Sequence, residues 1–155
     1  WAPDASRLYV QRQDRAQTIL DVLEVDPATG ESRILFTERA APGHWTNLSD
    51  DYKWLDDGSL IWWSERDGFG HLYRYADGGW TQLTKGDWVV TKLVGVDQAS
   101  GRLFFTGTKD DVLAQQVYAL DYRGGGEPKP PTDTGYANSA SMDDKGQTLL
   151  VTRSS

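Results

Sequence analysis

Short apolar runs recur along the chain at nearly even intervals, each after a turn-forming stretch. Leu8-Tyr9-Val10, Leu60-Ile61-Trp62-Trp63, Leu103-Phe104-Phe105 and Leu149-Leu150-Val151 begin 52, 43 and 46 positions apart. The stretches before them are Pro3-Asp4-Ala5-Ser6, Asp56-Asp57-Gly58-Ser59, Gln98-Ala99-Ser100-Gly101 and Asp143-Asp144-Lys145-Gly146. Gly suits such turns through its access to left-handed backbone, and Asp through hydrogen bonds to the backbone just ahead of it. A second run follows in each unit with partial alternation of apolar and polar residues: 20–26, 71–75 and 116–121. Alternation with period two marks a strand with one face covered. A third, shorter run ends at Thr37, Thr84 and Thr132, spaced 47 and 48 apart. One more run precedes each later unit, at 51–55, 89–96 and 138–142. Residues 13–24 come nearest to a helical stripe, but Thr18, Ile19, Val22 and Val25 favour extended backbone.

A unit of four short strands in 43 to 52 residues has the size and strand count of a propeller blade. The expected fold is therefore all-β: a partial β-propeller of about three four-stranded antiparallel blades in an incomplete ring. Blade boundaries fall near 1–40, 45–86, 87–133 and 134–155. The phase of the repeat predicts sheets of three, four, four and two strands. Such a segment leaves unpaired strand edges, which are templates for another chain, so self-association through open edges is an expectation. The absence of an initiator Met, with Trp-Ala-Pro-Asp at the start, reads as a segment of a longer protein.

Composition narrows the class. Of 155 residues, 38% are hydrophobic and 25% charged, which is globular rather than disordered. Aromatics reach 12% with seven Trp, a bias that favours strands. The net charge of −7 argues against a nucleic-acid partner, because an acidic surface repels phosphate. There is no Cys, hence no disulfide and no thiolate metal site. No apolar run is long enough to span a membrane as a helix. No cofactor or metal is expected.

Candidate chemistry is sparse. The Gly-x-Ser-x-Gly elbow of a serine hydrolase is absent; Gly30-Glu31-Ser32-Arg33-Ile34 is its nearest approach and reads as a hairpin turn. The two histidines, His44 and His71, lie 27 residues apart without a zinc-pair spacing, and are expected to be structural. The acidic pairs Asp50-Asp51, Asp56-Asp57, Asp110-Asp111 and Asp143-Asp144 occupy turns of the repeat. Turn formation accounts for Asp57 and Asp144, which sit beside or near Gly, and no stretch has the full spacing of a calcium loop. Trp62 and Trp63 must point to opposite faces of their strand, with one packed between blades and a stacking platform for sugar as the alternative. Asp67-Gly68 marks a hairpin, and its neighbours Glu65 and Arg66 are expected to be solvated or to pair across the hairpin with Arg74 or with a neighbouring blade.

The run Trp62-Trp63-Ser64-Glu65-Arg66-Asp67-Gly68-Phe69-Gly70-His71-Leu72-Tyr73 closely resembles a Trp-x-Ser-Glu-Arg-x-Gly-Phe-x-His-Leu-Tyr pattern in the propeller of bacterial dipeptidyl peptidase IV. Leu83-Thr84-Lys85-Gly86-Asp87-Trp88-Val89-Val90 resembles the segment that follows it there. Tyr9 to Gln17 resembles an upstream stretch, and Phe104-Phe105-Thr106-Gly107-Thr108 a downstream strand. The order is collinear and spans nearly the whole chain.

The resemblance implies an N-terminal eight-bladed propeller joined to a C-terminal α/β-hydrolase domain, as partner within one parent protein. It implies a serine-type exopeptidase that removes N-terminal X-Pro or X-Ala dipeptides from peptide substrates. The catalytic Ser, Asp and His belong to the hydrolase domain, so no residue here is expected to be catalytic and the chain alone should hydrolyse nothing. The glutamate pair that holds the substrate ammonium in that family lies on an earlier segment, and no such role passes to Glu24, Glu38 or Glu65. One site carries over. An aromatic before an inner strand lines the pocket for the N-terminal side chain, and within Gly43-His44-Trp45-Thr46-Asn47-Leu48 that residue is Trp45, as a substrate-binding residue with packing between blades as its structural alternative. The resemblance also implies a periplasmic or secreted protein. A non-enzymatic interaction propeller, or a related acylaminoacyl peptidase or oligopeptidase, remain as alternatives.

Overall fold

The computed structural model describes residues 1–131 and 137–154. Thr132 and the boundary at 133/134 lie outside the described residues. Among those described there is no helix. Four antiparallel sheets follow one another along the chain. The first comprises β1 (Leu8–Gln13), β2 (Ile19–Val25) and β3 (Ser32–Arg39). The second is β4 (Tyr52–Trp54), β5 (Leu60–Ser64), β6 (His71–Ala76) and β7 (Gly79–Gln82) in sequential order. The third is β8 (Val90–Asp97), β9 (Arg102–Gly107) and β10 (Gln116–Asp121), and the last pairs β11 (Ala137–Met142) with β12 (Leu149–Ser154). The sequential meander within each sheet is the blade pattern expected from the repeat.

The third blade departs from expectation. Its outer strand is reduced, among the described residues, to a single bridge in which Lys129 and Ala119 exchange both backbone bonds. The cause is local: Pro128 and Pro130 flank Lys129, and proline has no N–H to extend a ladder.

Alternation places the core. In β5, Leu60 and Trp62 pack with Leu20, Val22 and Phe36 of the first blade. Ile61 faces the other way, into a cluster with Leu72, Val90, Leu103, Phe105 and Tyr118, and Trp63 packs against it. A central blade is thus buried on both faces, which is why its strand reads Leu-Ile-Trp-Trp without polar interruption. Phe36 meets the edge of Trp62 at 5.3 Å between ring centroids. The adjacent tryptophans do divide between two faces as their spacing requires.

Polar groups fasten blade to blade. The Tyr75 hydroxyl donates to the Leu35 carbonyl at 3.1 Å. The Trp63 indole N–H donates to the Val90 carbonyl at 2.9 Å, and the Val90 N–H to the Gly70 carbonyl at 2.7 Å. Gly70 is required by this arrangement, since a Cβ there would lie 2.5 Å from Cζ2 of the pinned Trp63 ring. Asp51 also joins blades: its Oδ1 accepts the Leu93 N–H at 2.9 Å, across a bulged stretch of β8.

The acidic pairs therefore divide more finely than a uniform turn role. Asp57 does cap its turn, accepting from the Ser59 N–H and hydroxyl at 2.9 and 2.6 Å. In the last pair the turn is held by Asp143 rather than Asp144. Asp143 Oδ1 accepts the N–H groups of Gln147 and Thr148 at 2.6 and 3.0 Å, because its position just after β11 faces the returning backbone. Asp110 accepts from the buried Tyr118 hydroxyl at 3.0 Å.

Burial, and then the Asp110 hydrogen bond, push the Tyr118 hydroxyl up to about 12. The folded chain holds that proton more tightly than the unfolded chain, whose tyrosines titrate near the ordinary value of 10.0. Stability from this group is fully present below pH 10 and lost as pH climbs toward about 12. Denaturation midpoints across an alkaline series should fall more steeply for the unaltered protein than for Tyr118→Phe; parallel curves would remove the assignment.

Candidate functional site: a cleft between the first two blades

The direction of the strands gathers one set of connections at one end of the blades. The hairpins 14–18, 65–70 and 108–115 lie there, together with the linkers 40–51 and 83–89. Two backbone bonds confirm the grouping, from the Thr46 N–H to the Gln17 carbonyl and from the Val90 N–H to the Gly70 carbonyl. A cleft of about 520 Å³ opens at this end, between the first and second blades. Its lining includes Glu38, His44, Trp45, Trp63, Glu65 and Arg66.

Trp45 is held by its neighbours rather than by its ring. Ala41-Pro42-Gly43-His44 form a turn in which the His44 N–H donates to the Ala41 carbonyl at 2.9 Å and Gly43 has φ of 82°. Pro at the second and Gly at the third position are what a type II turn demands. On the other side Thr46 is pinned to the first hairpin: its N–H and hydroxyl both donate to the Gln17 carbonyl, at 2.7 and 3.1 Å, and its carbonyl accepts the Gln13 side-chain amide at 2.6 Å. Trp45, between these anchors, is 63% exposed. Among the described residues, inter-blade packing does not account for it.

Arg66 forms the opposite feature. Its Nη2 donates to Glu38 Oε1 on β3 of the first blade, and its Nε donates to the buried Ser64 hydroxyl at 3.1 Å. The guanidinium carbon lies 3.9 Å from the Trp80 ring centroid and 4.5 Å from that of Tyr73. Of the two pairings expected for this hairpin, the neighbouring blade supplies the partner. Arg74 instead pairs with Asp57 at 2.8 Å, while Glu65 lines the cleft. Burial, with the Asp67 carboxylate nearby, pushes the Tyr73 hydroxyl well above the usual phenol range, so it stays neutral beside the cation. Sequence spacing gave no hint that Glu38 and Arg66 meet, since 28 residues separate them. Only the alignment of blades brings them together.

The remaining candidates lie elsewhere or at the margin of the cleft. His71 is fully buried, with Nε2 2.9 Å from the Gly86 carbonyl and Nδ1 3.1 Å from the Thr84 hydroxyl. The carbonyl can only accept, so Nε2 carries the proton and Nδ1 accepts from Thr84. Thr84 in turn accepts the Leu72 N–H at 2.9 Å. His44 lies at the rim of the cleft, and Ser32 is the exposed first residue of β3. Among the described residues no cluster of three metal-ligating side chains occurs, and no helix is long and apolar enough to cross a membrane.

The end of the blades also concentrates exposed apolar side chains. Val112 and Leu113, at 79% and 94% exposed, sit on the hairpin 108–115, and Trp45, Leu48 and Phe69 lie on neighbouring connections. Apolar side chains exposed to this degree, gathered at one end of the blades, are candidates for a surface that meets another body.

Known proteins place the chain. Dipeptidyl peptidase 4 of Arthroderma otae is 33% identical over 115 residues, covering 70% of this chain and 15% of that protein. Dipeptidyl peptidase 4 of Trichophyton rubrum is 31% identical over 124 residues, covering 76% and 15%. The crystal structure of Porphyromonas gingivalis dipeptidyl peptidase 4 superposes with a TM-score of 0.85 and 25% identity, over 97% of this chain and 21% of that one. The chain thus spans 15% of the length of these curated relatives. The sequence profile of the dipeptidyl peptidase IV (DPP IV) N-terminal region matches residues 1–155. The chain belongs to that family, as a segment of its propeller.

Proposed function

We propose that this segment is a non-catalytic wall of the substrate cavity in a serine-type exopeptidase that removes X-Pro and X-Ala dipeptides from peptide N-termini. The observation that carries the reading is the exposed, backbone-anchored Trp45 on a cleft at one end of the blades. An apolar wall beside a few placed polar groups is the usual make-up of a small-ligand site. The apolar connections at the same end, Val112 and Leu113 foremost, support packing against the α/β-hydrolase domain of the parent. The nucleophile elbow does not occur in this sequence, and on this reading the covalent chemistry falls to that domain. The propeller then acts as a steric filter, admitting only narrow, flexible chain ends. A periplasmic or secreted location follows from the family and is checked by fractionation of the host cell.

In the parent protein, Trp45→Ala should raise KM for X-Pro reporters with a bulky first residue about fivefold, the equivalent of roughly 1 kcal/mol of lost apolar contact. KM for Gly-Pro reporters should change less. Equal KM values for both enzymes across the series would remove Trp45 from the site. Failure of the unaltered parent to release the reporter would remove the peptidase reading.

A further inference from the structure

The Arg66 guanidinium is more constrained than a structural ion pair requires. It is fixed along one edge by Glu38 and Ser64 and over one face by the Trp80 ring. Its hydrogen bonds among the described residues run from Nε and Nη2, none from Nη1, and the side chain is 29% exposed and lines the same cleft as Trp45. A guanidinium carries five N–H donors in a rigid fork and matches carboxylates through parallel bonds. Rotamer entropy, the usual cost of recruiting an arginine, has already been spent in the folded state here.

We propose that Arg66 is a specificity-determining residue of this cleft, which presents its unbonded edge to a carboxylate on the first side chain of the peptide. The inference rests on the peptidase reading above and extends it. Trp45 would receive the aliphatic part of that side chain and Arg66 its charged end, so the substrates favoured are peptides that begin with Asp or Glu before Pro or Ala. Glu38 tunes this recognition by holding the fork in place while leaving Nη1 unbonded. Glu65, also on the cleft, sets a limit on it, since a second carboxylate near the ligand opposes binding in proportion to its proximity.

The experiment uses the full-length parent and four chromogenic dipeptide reporters: Asp-Pro, Glu-Pro, Asn-Pro and Leu-Pro. The variant is Arg66→Met, made together with Glu38→Gln so that no buried carboxylate is left unpaired. The ratio of kcat/KM for Asp-Pro over Leu-Pro should fall about tenfold in the double variant, with Glu-Pro following Asp-Pro and Asn-Pro shifting less. Arg66→Lys, which keeps the charge but loses the fork, should restore part of the ratio. A uniform loss across all four reporters would show that Arg66 only braces the blades, and would overturn the proposal while leaving the peptidase reading intact. No hydrolysis of Leu-Pro by the unaltered parent would overturn that reading, and this proposal with it. A denaturation midpoint measured for each variant separates a folding defect from a change in preference, because a folding defect lowers all four rates together.

Discussion

Trp62→Ala should cost about 3–5 kcal/mol, the range for removing a buried tryptophan or phenylalanine side chain. For a unit of this size that is a fall of roughly 10 °C in melting temperature. The residue is 2% exposed and is the bulkiest of the buried side chains in the cluster it forms with Leu20, Val22, Phe36 and Leu60. Such apolar side chains fill the space between these two blades, so the cavity would open at an interface rather than inside a sheet that could collapse around it. The cleft sits on this same interface, and Trp62 contributes to its lining. Loss of stability should therefore be accompanied by poorer binding of any ligand there. Trp62→Phe should cost less than the alanine change for a second reason. The Trp62 indole N–H is buried with no partner among the described residues, and an unpaired buried donor costs about 1–3 kcal/mol. Phenylalanine removes that donor while keeping most of the apolar volume. Urea midpoints for the three proteins give the comparison, and an alanine variant within 1 kcal/mol of the original would mean that the two blades do not depend on this contact.

His71→Ala comes next, with an expected loss of about 3 kcal/mol from two sources, a buried cavity and broken hydrogen bonds. The imidazole is fully buried at the start of β6 and sits edge-on to Trp88, 5.0 Å between ring centroids. Without it the Gly86 carbonyl loses its donor and the Thr84 hydroxyl its acceptor. The Thr84 hydroxyl also receives the Leu72 N–H, so the loosening should extend into the linker 83–89 and to Trp88. Amide exchange at Leu72 and Val90 should accelerate in the variant, whereas exchange confined to residues 1–39 would contradict the path. A wholly surface role for His71 would leave both the midpoint and the exchange rates unmoved.

Much of the fold could be read from the chain because blade strands carry a two-residue period and each turn carries Gly or Asp. β5 and β9 are the clearest cases, since their neighbours bury both faces and the apolar runs are uninterrupted. The outer strand of the third blade was not legible in the same way. A bridge of one residue leaves no periodicity, and the prolines that shorten it resemble any loop. Trp45 was found through family likeness rather than pattern, because one aromatic in a linker has no period to test. The Glu38–Arg66 pair was beyond sequence reasoning for a different reason. It joins two blades, and the register between sheets is set by packing of side chains such as Trp62 and Phe36, not by any local propensity. The exchange of roles between Asp143 and Asp144 has the same character on a smaller scale, since a one-residue choice depends on where the backbone returns.

The single bridge at Lys129 has a consequence for how the molecule behaves in crowded solution. A rim strand with a full row of free amides invites an incoming chain to dock and propagate. Pro128 and Pro130 offer no amide hydrogens on either side of Lys129, and the lysine side chain is exposed there. Among the described residues, the third blade therefore presents a blunt, charged margin at Lys129, poorly suited to template a growing fibril.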